Sequence, residues 1–269
     1  MNFIDTDGGT LAVEVRGDGP LVVCSPAMGD TRDAFDALAE TLRAAGFRTA
    51  QFDLRGHGDS STGFAAYGDL ATADDIETII DHLGGPAFVI GASLSAGAAV
   101  TVAGRRPELV SGVVLVAPFL RNGVGEAMRR MLHLMVAGPW GPMMWRTYSR
   151  SLWRGLGKDG AAERARASVA LLARPGRWRA FVATVDGADH RVYEPYIPRA
   201  TAPALVVVGS GDPDWKDPIA EAEWVASNFG AEVVVAEGAG HAPMLERPEV
   251  VGPAVRTFLE GIRDAAGRA

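Results

Sequence analysis

The sequence predicts an α/β fold: a mostly parallel, doubly wound sheet carrying one helical insertion. Two regularities lead there. Short apolar runs of strand length alternate with helix-length amphipathic stretches, the rhythm of strands and crossover helices in a parallel sheet. That rhythm breaks once, from about Phe119 to Pro203, where Met, Trp and Arg recur with helical periodicity and no clear strand is present. A third observation is chemical. A serine, Ser93, stands between small residues where an apolar run gives way to an alanine-rich segment.

Taken in order, Leu11–Val15 and Leu21–Cys24 read as strands, Arg32–Ala45 as a helix and Arg48–Phe52 as a strand. Leu70–Leu83 reads as a helix, with His82 close to its end before Gly84-Gly85, an ordinary place for a polar residue. Ala87–Ile90, the helix Ser95–Arg105 and Val113–Val116 precede the insertion. After it come Ala204–Val208, the helix Pro218–Phe229, Val233–Ala236 and the helix Glu249–Ala265. With 269 residues, one large domain with an insertion is expected rather than two independent cores. The division is residues 1–118 and 204–269 as core and 119–203 as a lid. Soft and flat side chains collect in the lid and suit a cover over a cleft. Trp140, Met144 and Trp145 are the expected substrate contacts, against the alternative that such residues form a small core of the insertion's own.

Composition narrows the function. The net charge is −7 and no lysine-rich patch is present, which disfavours nucleic acid as a partner; the arginines between Arg121 and Arg179 read as a solvated helix face. No apolar stretch is long enough for a membrane span, and no leader is legible at the N-terminus, so a cytoplasmic protein is expected. The single cysteine, Cys24, lies in an apolar run and reads as core. A small-molecule substrate is the expected partner, and exposed apolar lid residues leave association into homodimers open.

Val89-Ile90-Gly91-Ala92-Ser93-Leu94-Ser95-Ala96-Gly97 reads as a nucleophile elbow, a sharp strand-to-helix turn that exposes a strained serine. Its pattern is G-x-S-x-S, with Ser95 in place of the usual second glycine. A plain helix cap by Ser93 or Ser95 would look similar. In an open parallel sheet, reactive groups gather beyond the carboxyl ends of the strands. There the later strands are followed by Gly209-Ser210-Gly211-Asp212-Pro213-Asp214 and by Glu237-Gly238-Ala239-Gly240-His241. Ser93, Asp212 and His241 thus follow three strands in the order Ser, Asp, His.

In this order and placement the chain resembles the α/β-hydrolase superfamily over nearly its full length, with a lid between core strands six and seven. Asp53-Leu54-Arg55-Gly56-His57-Gly58-Asp59-Ser60 is similar to the family's D-x-R-G-x-G-x-S loop. Pro26-Ala27-Met28-Gly29-Asp30 stands where the family usually has His-Gly. The resemblance implies Ser93 as nucleophile, His241 as base and then acid, Asp212 orienting His241, and the backbone N–H groups of Met28 and Leu94 as oxyanion hole. Asp214 competes with Asp212 for the orienting role; otherwise Asp214 and Asp217 read as cap or turn residues of the helix from Pro218. His57 reads as a turn residue, and His133 and His190 as surface or packing residues of the insertion.

Neither H-E-x-x-H nor C-x-x-C occurs, the acidic trio near Asp214 lacks calcium-loop spacing, and no P-loop is present, so no metal and no cofactor are expected. Serine at 93 argues against epoxide hydrolase or dehalogenase chemistry, which needs a carboxylate there. The expectation is an esterase acting through an acyl-enzyme on a small to medium apolar substrate. Thioesterase, lactonase, C–C hydrolase and perhydrolase or haloperoxidase variants remain, as do a lyase or cyclase and a receptor-like binding module on the same fold.

Overall fold

A computed structural model describes residues 1–123 and 125–268. Eight strands, β1 (Asn2–Thr6), β2 (Gly9–Arg16), β3 (Leu21–Ser25), β4 (Arg48–Phe52), β5 (Ala87–Ala92), β6 (Val110–Val116), β7 (Ala204–Gly209) and β8 (Glu232–Ala236), form one sheet. Their order is β1-β2-β4-β3-β5-β6-β7-β8, parallel from β4 to β8 and antiparallel only where β2 meets β1 and β4. This is the α/β-hydrolase fold that the sequence predicts. The first strand was not among the sequence expectations. Of its five residues only Ile4 is buried, so it lacks an apolar run, and Asp7-Gly8, a favoured hairpin turn, is the local signal that marks it.

The central strands β3, β5, β6 and β7 are apolar nearly throughout because both faces of the sheet are covered there. Val23 and Leu115 point into one core with Ile76 and Ile79 of α2 (Asp69–Leu83) and residues of α3 (Leu94–Arg105). Their neighbours Val22, Cys24 and Val116 point into the other, against Leu38 and Leu42 of α1 (Asp36–Ala44). Cys24 is buried there, and burial pushes its thiol up to about 12 although Arg43 opposes the shift, as befits core packing.

Between β6 and β7 the described chain is helical: α4 (Glu126–Ala137), α5 (Gly141–Leu152), α6 (Gly157–Leu172) and α7 (Arg177–Asp186), followed by short 3-10 turns. After β7 come α8 (Pro218–Phe229), capped by the Asp217 carboxylate on the Ala220 N–H at 3.0 Å, then α9 (Pro243–Glu246) and α10 (Pro248–Ala266). Among the described residues no helix is long and apolar enough to cross a membrane.

The loop after β4 shows why its residue pattern matters. The Asp53 carboxylate accepts the N–H groups of Arg32 and Asp59 at 2.9 and 2.8 Å, and a Cβ at Gly58 would lie 2.0 Å from that carboxylate. Ser60 Oγ donates to the Asp53 carbonyl and accepts the Ala12 N–H. Arg55 reaches Asp75 of α2 through Nε and Nη2, at 2.8 Å each, and both residues are buried. Burial raises Asp75 to about 6 against the pull of Arg55. Replacing Arg55 with alanine strands this carboxylate, and a loss of about 3 kcal/mol is expected in urea unfolding, partly restored by adding Asp75→Asn. An unchanged midpoint would refute it.

Candidate active site

Four loops leaving the carboxyl ends of β3, β5, β7 and β8 meet above the middle of the sheet. Ser93 follows β5 directly and caps α3, with φ 60° and ψ −123°, a strained conformation for a residue with a side chain. The turn is held on both sides. Ser93 N–H donates to Val116 of β6 at 2.9 Å, and the buried Tyr193 hydroxyl donates to the Leu94 carbonyl at 2.8 Å. A Cβ at Gly91 would lie 2.1 Å from the Ser95 carbonyl, so only glycine permits α3 to turn back so closely.

Ser95, where the usual pattern has glycine, has a use of its own. Its hydroxyl accepts from Ser25 Oγ at 2.9 Å and donates to the Pro26 carbonyl at 2.6 Å. The first turn of α3 is thereby tied to the β3 loop that carries Met28. Trp145 holds the same loop from the other side: Nε1 donates to Ser168 Oγ, which donates to the Gly29 carbonyl. Leu94, as the first residue of α3, has a backbone N–H without an intrahelical acceptor.

His241 is buried, and its Nδ1 lies 2.7 Å from Asp212 Oδ2. Asp214 is close too, at 3.4 Å from the same nitrogen. Burial disfavours the charged ring, yet the charges of Asp212 and Asp214 outweigh it and raise His241 to about 9. Asp214 is itself raised by burial, against the pull of His241, and accepts a hydrogen bond from Tyr148 of α5. It therefore stands in the same cluster as His241, whereas Asp217 caps α8. Distance favours Asp212 as the partner of His241, while its second oxygen accepts the Asp214 N–H at 3.0 Å. Among the described residues these three side chains form the one group of metal-ligand type, their atoms lying within 4.8 Å of one another.

Two further contacts hold the histidine. The Leu152 carbonyl, at the end of α5, accepts the His241 N–H at 2.7 Å. Buried Glu246 accepts the N–H groups of Gly240 and Ala242 at 2.8 and 2.9 Å. Nothing in the sequence pointed to Glu246, because its partners are backbone N–H groups on either side of His241 and, about ninety residues away in the chain, that of Gly155.

Ser93, His241 and Met28 line a cavity of about 510 Å³. Its other walls are mainly apolar, with Phe119 of the β6 loop and Phe181 of α7 among them. Met144 and Trp145 line it too. Trp140 does not: it is 52% exposed and packs over Gly138, because its position just before α5 turns it away from the cavity. His57 is buried in the β4 loop with Nδ1 on the Arg55 carbonyl, a turn residue as read. His133 pairs with Asp186 near the surface. His190, by contrast, is buried and lines the cavity.

Residues 22–254 match the alpha/beta hydrolase family, and the chain belongs to it. It is an enzyme of that family by its relatives. Over 246 residues it is 29% identical to a pimeloyl-[acyl-carrier protein] methyl ester esterase of Neisseria meningitidis, covering 88% of this chain and 75% of that one. A thermophilic esterase from Thermogutta terrifontis superposes with a TM-score of 0.83 at 26% identity, over 97% of this chain and 99% of that one. A bromoperoxidase from Bacillus anthracis reaches the same TM-score at 14% identity, over 94% and 96%. That likeness concerns the fold alone, since one backbone carries several reactions.

Proposed function

We propose that the chain is a serine esterase that cleaves esters of small to medium, largely apolar substrates through an acyl-enzyme. The observation that carries this reading is the convergence of a strained Ser93 and an Asp212-backed His241 on one apolar cavity. His241 takes the Ser93 proton as the oxygen attacks the ester carbonyl, and the tetrahedral oxyanion turns toward the N–H groups of Met28 and Leu94, each worth on the order of 3 kcal/mol. The proton then passes from His241 to the leaving alcohol. Water repeats the sequence on the acyl-enzyme and frees the acid. Asp212 holds the ring in place and offsets its charge while it carries the proton.

Residues 119–203 serve in this reading as a cap. Met144, Trp145 and Phe181 enclose the acyl group, and the contacts of Leu152 and Tyr148 tie the same segment to the His241 loop and Asp214. The esterases among the relatives support an ester as the substrate, and the apolar wall supports an acyl group without charge.

Treatment with a fluorophosphonate followed by intact-mass measurement tests the reading without knowledge of the natural ester. One equivalent added to the wild type, and none to Ser93→Ala or His241→Ala, is the expected result. An unmodified wild type would remove the esterase reading and favour a binding module.

A further inference from the structure

The cavity has a second polar pole, and nothing in the proposed chemistry uses it. His190, in the turn before β7, lines the cavity, with Nδ1 lying 3.2 Å from Asp69 Oδ2. Asp69 is the first residue of α2, 1% exposed, and neither of its side-chain oxygens has a well-aligned hydrogen bond. The turn carrying His190 is held by its N–H on Asn122 Oδ1 at 3.1 Å and by stacking on Tyr193. His190 Nδ1 is buried beside Asp69 and, like the Asp69 oxygens, has no aligned hydrogen bond, which leaves the Nε2 edge of the ring for the cavity. Phe119 stands between the two histidines, its ring centroid 5.1 Å from that of His190 and 5.9 Å from that of His241.

We propose that His190, positioned by Asp69, is a specificity-determining residue that hydrogen-bonds a hydroxy or oxo substituent on the substrate, a few bonds from the ester carbonyl. This inference rests on the esterase reading above. An imidazole edge on an apolar wall is costly unless it is paired, and Nε2 satisfies a hydroxyl in either tautomer and an oxo oxygen when it bears the proton. A carboxylate fits poorly. Asp69 already supplies an anion on the far side of the ring, and Arg129, the arginine in the cavity lining, is engaged by Glu126, by Asp189 and by the Ala188 carbonyl. The pole thus suits a neutral oxygen.

The test compares kcat/KM by pH-stat for ethyl hexanoate, for its analogues carrying an oxo or a hydroxy group near the far end of the chain, and for monoethyl adipate. Wild type is expected to favour the oxo or hydroxy ester over ethyl hexanoate and to reject the adipate. In His190→Phe the oxo or hydroxy preference is expected to fall about tenfold, whatever the absolute activity, which is the scale of one hydrogen bond. Asp69→Asn should move the ratio in the same direction. His190→Gln, which keeps a polar end, should retain part of it and stands in if His190→Phe does not fold. A ratio unchanged in these variants, or a wild type that prefers the plain or the carboxylate ester, overturns the inference. Fluorophosphonate labelling separates the two levels: a labelled wild type with an unmoved ratio defeats only the role of His190, and an unlabelled one defeats the esterase reading with it.

Discussion

Ser93→Ala is expected to lower kcat/KM for a simple ester by roughly a million-fold while the protein stays folded. The side chain is small, and the turn is held by backbone contacts to Val116 and by the Tyr193 hydroxyl on Leu94, none of which uses the serine oxygen. His241→Ala should cost about as much, and the double variant little more, because nucleophile and base act as one unit. Residual activity above the water reaction would come from the oxyanion donors and from binding alone. Should Ser93→Ala retain most of its turnover, the acyl-enzyme is wrong, and a lyase or cyclase using His241 or Asp212 as base becomes the better account.

The two carboxylates at His241 should separate in their effects. Asp212→Asn is expected to reduce kcat by roughly ten-thousand-fold, since an amide opposite Nδ1 favours the wrong tautomer and cannot offset the charge of the ring. Asp214→Asn should cost far less, being 3.4 Å from that nitrogen, but it should move the pH profile. The direction follows from the charges. His241 must be neutral to accept the proton, so activity rises with pH through its pKa, and the anionic charges of Asp212 and Asp214 lift that pKa to about 9 against burial. Removing one of those charges lowers it, and the rising limb of kcat/KM against pH should shift toward acid. A large loss in Asp214→Asn with little change in Asp212→Asn would exchange their roles.

Much of the candidate site was legible because its signals are local. Ser93, Asp212 and His241 each stand within a few residues of a strand end, and in a parallel sheet such ends meet by construction. The replacement of glycine by Ser95 carried a meaning that only the fold reveals, because its partners Ser25 and Pro26 lie about seventy residues away in the chain. The same holds for Tyr148 on Asp214 and for Asp69 facing His190. Hydrophobic periodicity reports which side of a helix is buried but not which distant loop it meets. Trp140 illustrates the limit. It shares its chemistry and neighbourhood with Met144 and Trp145, yet the turn before α5 directs it outward.

From the sequence alone follow the layered α/β architecture, the break in the strand rhythm between β6 and β7, and the order in which the reactive residue types leave the strands. All three are written in short windows of chain by the periodicity of two or 3.6 residues and by turn chemistry. Only the tertiary structure decided which carboxylate sits closer to His241, which aromatic residues enclose the cavity, and that a second histidine shares it. Those outcomes depend on how the packed elements face one another, and the direction of a side chain is set there by close packing among residues far apart in the chain.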